Sequence, residues 1–299
     1  MRRPEPAKLS NETGQKSAVV TGVSTGIGRA IAAALVAGGW RVFGSVRKAA
    51  DGDAAKQDLG ASFTPLIFDV TDADAIARGA QTVRAALGGQ TLDALVNNAG
   101  VGVGGPLAYL KIDELKRQMD VNLYGPLRVT QAFLPQLGAD KSLTGKPGRI
   151  VNMSSVGGRI AAPFAVPYAM SKHALEAFSD GLRRELVIHG IDVITIGPGA
   201  IKTPIWDKAE DFGLEQYAHT EYAGILKRMQ KAMRDVGDAG LPPEAVGDLV
   251  RHVLTAPKPK ARYAILKGKF MNWTLPNLLP KRMVDKAVAR RFGLKPARR

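Results

Sequence analysis

The sequence predicts a single α/β domain with a doubly wound, parallel sheet, and three observations carry that expectation. Short β-rich runs alternate with long helical patterns, a glycine-rich turn joins the first run to a helix, and 45% hydrophobic residues over 299 positions can bury one substantial core. Alternation of this kind sets successive strands side by side through right-handed helical crossovers, which makes the sheet parallel.

The first run, Ala18–Thr21, flows into Gly22-Val-Ser24-Thr25-Gly26-Ile27-Gly28 and then into a helix reaching Ala37. Glycines let the backbone close on a pyrophosphate, and the helix N-terminus offers it unpaired N–H groups and the positive end of a dipole. Strand, turn and helix together suit a dinucleotide on a Rossmann-type sheet. The same stretch also reads Gly-x-Ser-x-Gly, from Gly22 through Ser24 to Gly26, the turn that raises a nucleophilic serine in an α/β-hydrolase. That rival needs an oxyanion loop from an earlier strand, and only about twenty mostly polar residues come before. His173, His189, His219 and His252 follow, and none is set apart from an ordinary surface or core histidine.

Further strands are expected at Arg41–Val46, Phe63–Phe68, Leu92–Val96, Arg149–Met153 and Asp192–Ile196. Thr71 with Asp74 resembles a capping box that opens a helix through Ile76, Val83 and Leu87. The longest helices are expected at Ile112–Leu137 and Tyr168–Ile188, with a polar loop over 138–148 before the next strand. No internal repeat is present.

Tyr168 and Lys172 are four residues apart, one helical turn, so phenol and ammonium share a face, with Ser155 upstream at the end of an apolar run. A phenol titrates near about 10, and bringing it to neutrality takes about 4 kcal/mol. An ammonium at about 4 Å in a medium of effective dielectric about 20 supplies roughly that. Tyr168 is therefore the candidate general acid/base, and Lys172 the group expected to hold its pKa down. A bare Tyr-x-x-x-Lys is common, and it gains weight only from the rest of the chain.

The end of the second strand, Val46-Arg47-Lys48, bears on the choice of dinucleotide. A site for NAD calls for an acid near this point, whereas a 2′-phosphate calls for a cation. A guanidinium grips phosphate through a fork of charged hydrogen bonds, so Arg47 favours NADP(H), with the Thr25 hydroxyl beside it. The competing reading is a solvated surface Arg-Lys pair.

Composition removes other classes. There is no cysteine, so disulfide scaffolds, thiolate catalysis and cysteine-based metal sites are excluded, and a cytoplasmic setting is the expectation. The N-terminus has no apolar segment of the signal-peptide kind, and no apolar run approaches the roughly 18 residues that span a bilayer. No metal is called for.

With these residues in place, the sequence from about Lys16 to Thr203 closely resembles the short-chain dehydrogenase/reductase family. Thr21-Gly22-x3-Gly26-Ile27-Gly28 is similar to its cofactor turn, Asp69-Val70 to its adenine-binding pair, Asn97-Asn98-Ala99-Gly100 to its sheet-stabilising segment, and Pro198-Gly199-Ala-Ile201-Lys-Thr203 to its nicotinamide-contacting turn. Asn122, Ser155, Tyr168 and Lys172 match its catalytic tetrad. The resemblance implies that Ser155 hydrogen-bonds the substrate oxygen and Tyr168 transfers the proton. Lys172 would hold the nicotinamide ribose, and Asn122 would anchor a water of the proton relay. It also implies assembly into homodimers or homotetramers.

After that turn, 204–240 carries Ile205, Trp206, Phe212, Leu214, Tyr217, Tyr222, Ile225, Leu226 and Met229 among charges, which suits a mobile lid over a lipophilic substrate. The expected organisation is a flexible N-terminus (1–15), a Rossmann NADP-binding and catalytic domain (16–257) and a basic C-terminal extension (258–299). From 258 onward thirteen Lys/Arg face only Asp285, so about +12 of the formal +15 lies there. Lys281–Phe292 reads as a helix that docks on its own domain or a second subunit, with peripheral contact to an anionic membrane as the other occupant. Arg262-Tyr263 and Leu279-Pro280 resemble the tail of the hydroxysteroid- and retinol-dehydrogenase-like branch, which implies a lipophilic ketone or secondary alcohol. No aromatic platform or binding module for nucleic acid is present. Two other functions remain open: an NAD-dependent 3-hydroxyacyl- or hydroxybutyrate-type dehydrogenase, and an idle NADP-binding regulator whose tail binds nucleic acid or membrane.

Overall fold

The computed structural model describes residues 14–204, 206 and 214–295. Most of the expected N-terminal segment, Ile205 and Phe212 of the expected lid, the Leu214 side chain, and Arg298 and Arg299 lie outside the described residues.

Seven parallel strands form one sheet in the order β3-β2-β1-β4-β5-β6-β7. They are β1 (Ser17–Val20), β2 (Arg41–Val46), β3 (Phe63–Ile67), β4 (Ala94–Asn97), β5 (Arg149–Met153), β6 (Asp192–Pro198) and β7 (Arg262–Ile265). Strands β1, β4 and β5 are buried on both faces, but for the first residue of β5, because helices cover both. On one face Ile31 and Leu35 of α1 (Gly26–Ala37) meet Val246, Val250 and Val253 of a later helix, Pro243–Thr255. On the other, Ile76 and Val83 of α3 (Ala73–Leu87) meet Val129 and Phe133 of α5 (Gly125–Phe133). Helix α2 (Ala49–Leu59) follows β2, and α4 (Ile112–Met119) runs into α5 through a π-helical turn, Asp120–Tyr124. The expected unbroken helix Ile112–Leu137 thus carries two π turns, the second at Pro135–Ala139. Helix α6 is Val166–Glu185, extended by a 3₁₀ turn to His189. Later helices are α7 (Ala223–Asp238), α8 (Pro243–Thr255), α9 (Leu275–Leu278) and α10 (Lys281–Phe292).

The strand order reverses between β1 and β4, and the crevice beyond their C-terminal ends is where such sheets take ligands. Beyond shifts of one or two residues at the ends of β3, β4 and β6, two further details differ from the sequence reading. The α3 cap is Asp72, whose side chain accepts from Ala75 N, while Thr71 donates its hydroxyl to Asp69 Oδ1. With the Thr71 hydroxyl taken up by Asp69, the cap falls to Asp72, one residue later than expected. The sheet also extends past 257: β7, inside the segment read as the basic extension, pairs with β6 from Thr195↔Arg262 to Pro198↔Ile265. Beyond β7, α10 leans on the domain through partly buried Val284, Val288 and Phe292, while Phe270, Met271, Leu278 and Met283 stay exposed.

Candidate active site

The β1–α1 turn is shaped by glycines that nothing larger could replace. Gly22 and Gly26 have φ of 72° and 61°, and a Cβ on Gly28 would fall 2.1 Å from Gly22 O and 2.4 Å from Asn98 Nδ2. Thr25 caps α1 in extended conformation without using its side chain, and Ser24 and Thr25 are exposed. The turn is tied across the switch point by Thr21, whose hydroxyl accepts from Asn98 N and Ala99 N, both at 2.9 Å. Asn98 Nδ2 donates back to Thr21 O at 2.9 Å and to Gly22 O at 3.2 Å. A backbone cradle without side chains, at a helix N-terminus with its hydroxyls outward, fits a pyrophosphate.

At the end of β2, Val46 is buried, and Arg47 is exposed without an ion-pair partner among the described residues. Arg29, nearer the turn, is already paired with Asp58. Asp69 accepts from Thr71 N and Thr71 Oγ1, which fixes the bend after β3, and Val70 is buried where a Cβ on Gly125 would touch it at 2.8 Å. At the other side of the crevice, Pro198 and Ile201 are buried, Gly199 N donates to Ile265 O, and Thr203 lies 3.3 Å from where a Gly26 Cβ would stand. The turn after β6 thereby closes on the turn after β1. Ile27 packs inward against the core beneath it.

Ser155, Tyr168 and Lys172 come together at the ends of β5 and α6. Ser155 caps a 3₁₀ turn by accepting from Gly157 N at 3.0 Å, and its hydroxyl donates toward Pro198 O at 3.4 Å. The Tyr168 ring lies nearby: a Cβ on Gly157 would stand 3.3 Å from Tyr168 Cε1 and 3.4 Å from Ser155 Oγ. Lys172, 5% exposed, donates to Met153 O at 2.8 Å, and its Nζ lies 5.8 Å from the Tyr168 ring centre. The electrostatics depart from the sequence expectation. Burial raises the phenol pKa, opposed by the Ser155 hydroxyl, and the ammonium does not hold it down. Burial instead lowers Lys172 itself to about 8, against the opposing charge of Glu176.

Asn122 sits in the π turn, where the extra residue swings its side chain inward. Its Oδ1 accepts from Val101 N, and its Nδ2 donates to Val101 O and Ser171 Oγ at 3.0 and 3.1 Å. Ser171 Oγ in turn donates to Tyr168 O at 2.8 Å. Both functional ends of the side chain expected to hold a water are thus engaged, and they tie the Val101 loop to the turn of α6 that carries Tyr168. Asn122 Oδ1 and Lys172 Nζ both lie within 4 Å of where a Cβ on Gly100 would be, so only glycine leaves that space open.

Sequence reasoning missed several groups here. Met153 offers only a carbonyl, which no side-chain pattern reveals. Glu176, one turn beyond Lys172, forms a fork with Arg262 at 2.8 and 2.9 Å. The spacing of four that selected Lys172 would have found Glu176 as well. Asn97 donates to Asn152 Oδ1 and Thr130 Oγ1, and Asn152 to Ser179 Oγ, a buried polar ladder under the site.

A satellite cluster of Phe164, Tyr217 and Leu226 gathers Tyr222, Ile225, Met229 and Leu294. Phe164 holds a φ of 63°, unusual for a bulky residue, and its carbonyl accepts from Gly105 N. Its ring meets Tyr222 edge-on at 5.5 Å. Trp206, packed where a Cβ on Gly237 would stand, donates to Ile201 O at 2.7 Å, so this part of the expected lid is anchored to the turn after β6.

Comparison with known proteins bears on the family and the fold. A family model described as short chain dehydrogenase matches residues 16–212. Among curated proteins, an NADPH-dependent 3-dehydrocapnine reductase of Ornithobacterium rhinotracheale is 42% identical over 269 residues, covering 90% of this chain and 94% of that one. Human retinol dehydrogenase 5 is 32% identical over 280 residues, covering 89% and 85%. A solved short-chain dehydrogenase from Streptomyces avermitilis superposes with a TM-score of 0.73 at 29% identity, covering 95% and 100%.

Proposed function

From its membership of the short-chain dehydrogenase/reductase family, which makes this chain an oxidoreductase, we propose that it uses NADP(H) to interconvert a ketone and a secondary alcohol on a lipophilic substrate, chiefly as a reductase. The observation that carries the reading is the Ser155–Tyr168–Lys172 cluster, where burial raises the phenol pKa and so keeps the phenol protonated at neutral pH, beside the Ser155 hydroxyl. A protonated phenol is a donor, which suits reduction. The 42%-identical relative is named as an NADPH-dependent reductase of a 3-dehydro compound.

When bound, the dinucleotide would supply hydride for a carbonyl carbon. Ser155 Oγ, with its hydroxyl turned from Pro198 O, holds the carbonyl oxygen, and Tyr168 Oη gives that oxygen its proton. Lys172, which donates to Met153 O, would hold the ribose hydroxyls of the dinucleotide, and these would partner its charge. Asn122 acts as a positioning residue through Val101 and Ser171. Gly22, Gly26 and Gly28 make room for the pyrophosphate, and Arg47 with Thr25 grips the 2′-phosphate. Asp69, Val70, Asn98, Ala99 and Gly100 line the adenosine side of the crevice, and Pro198, Gly199, Ile201 and Thr203 the nicotinamide side.

Phe164, Tyr217, Tyr222 and Leu226 are assigned to cover the lipophilic part of the substrate, a steroid, a retinoid or a comparable skeleton. Exposed Ile112, Tyr124 and Leu127 favour a homodimer or homotetramer, and exposed Phe270, Met271, Leu278 and Met283 amid basic residues favour peripheral contact with an anionic bilayer.

The test follows NADPH absorbance across steroid, retinoid, acyl and sugar ketones. Turnover of the lipophilic ketones with a strong preference over NADH is expected, and Arg47→Asp should cut that preference at least tenfold. Failure of every lipophilic ketone, or a cofactor ratio untouched by Arg47→Asp, would contradict the reading.

A further inference from the structure

Glu176 and Arg262 form a buried ion pair that no step above uses. Their side chains are 8% and 19% exposed, and both guanidinium–carboxylate contacts are short. Arg262 Nη2 also points at Ser155 O, at 3.5 Å, and its guanidinium lies over the Trp273 ring at 4.3 Å. Two glycines make space for the pair. A Cβ on Gly197 would stand 2.7 Å from Arg262 Nη2 and 3.1 Å from Ser155 O, and one on Gly158 would stand 3.0 Å from Glu176 Cγ. A buried ion pair is weak evidence of stability, because desolvation offsets most of its attraction. This one joins three parts of the molecule that are far apart in sequence: the α6 turn after Lys172, the backbone of Ser155, and the segment after β7.

We propose that Arg262 and Glu176 are positioning residues, which fix the Ser155 backbone against the Lys172 turn of α6 and, through Trp273, make the geometry of the site depend on the docked C-terminal segment. The proposal rests on the roles assigned above to Ser155, Tyr168 and Lys172. The fork has two fixed prongs, Nε and Nη2, so it sets the orientation of Glu176, and the second N–H of Nη2 is left for Ser155 O. The ionisable groups around Lys172 are Tyr168 and Glu176 on its own helix. Around Glu176 they are Lys172, Arg262 from β7 and Arg159 from the turn after β5, whose Nε is 3.6 Å away. Removing the carboxylate charge leaves Lys172 with less to favour its protonated form.

The test compares Arg262→Lys, Glu176→Gln and Trp273→Ala in the full chain, with melting curves, NADPH titration, steady-state kinetics and hydrogen exchange of the 154–159 amides. Arg262→Lys keeps the charge but loses the fork. It should lower kcat about tenfold with KM within threefold, and speed exchange at 154–159. Glu176→Gln should shift the alkaline limb of the kcat profile to lower pH, and Trp273→Ala should reproduce the Arg262→Lys effects more weakly. Folded variants with unchanged kcat, pH profile and exchange, whatever their melting temperatures, would overturn the proposal. The exchange arm reads the pair even if the wild-type chain reduces no ketone, a result that would defeat the proposed function and leave this test standing.

Discussion

Lys172 carries a charge into a buried place where the Met153 carbonyl and the Glu176 charge offset only part of its lost hydration, and its pKa falls from 10.5 to about 8. The unfolded chain therefore holds more protons than the folded one between those values, and stability rises with pH across that window. Below pH 8 the full cost is present, about 3 kcal/mol for a shift of this size. Lys172→Met should accordingly make the ligand-free protein more stable at pH 7, by about 2 kcal/mol once the unpaired Met153 carbonyl is counted. It should also flatten the rise in stability above pH 8. Urea denaturation at pH 7 and pH 9.5 checks both, and a Lys172→Met protein less stable than wild type at pH 7 would contradict them. At this scale the sequence showed what one helical turn can show. Tyr168 and Lys172 stood out by spacing, whereas Arg262 is 86 residues from Glu176 and could not be paired with it in advance. The direction of the phenol shift was missed because a sequence displays a neighbouring charge but not the burial that outweighs it.

The elements that carry the site were largely legible. Strands β2 and β5 matched their expected bounds, because each opens on an arginine and is otherwise buried, a mostly apolar run set off from its flanks. The π turn at Asp120–Tyr124 was not, since one extra residue leaves the apolar rhythm of a long helix almost intact. Nor was β7, four residues at the sheet edge, all only partly buried and next to basic segments. The tie between the β1 and β4 turns gives a prediction for these elements together. Thr21→Val removes an oxygen that accepts two backbone N–H groups, and unsatisfied buried donors cost about 1–3 kcal/mol each. Dinucleotide affinity should fall at least tenfold by calorimetric titration while the far-ultraviolet dichroism stays native. Unchanged affinity would show that the turn holds its shape without the tie.

Across the whole molecule, charge is divided unevenly: the residues before 258 are nearly balanced, and the C-terminal segment carries most of the excess. No helix among the described residues is long and apolar enough to cross a membrane. Exposed Phe270, Met271, Leu278 and Met283 in that basic segment instead suit insertion at the surface of an anionic bilayer. The protein should sediment with vesicles containing phosphatidylglycerol and not with pure phosphatidylcholine, and release as salt rises; Phe270→Ser with Met271→Ser should weaken the association severalfold. Equal binding to both vesicles, or dimer dissociation in the variant, would assign the patch elsewhere. The account as a whole turns on one hydroxyl. Single-turnover oxidation of pre-bound NADPH by a reactive ketone, compared between wild type and Tyr168→Phe, tests it most directly. The account predicts a rate loss of about 10²–10⁴-fold with NADPH affinity within threefold of wild type. A Tyr168→Phe protein that turns over at the wild-type rate would contradict it.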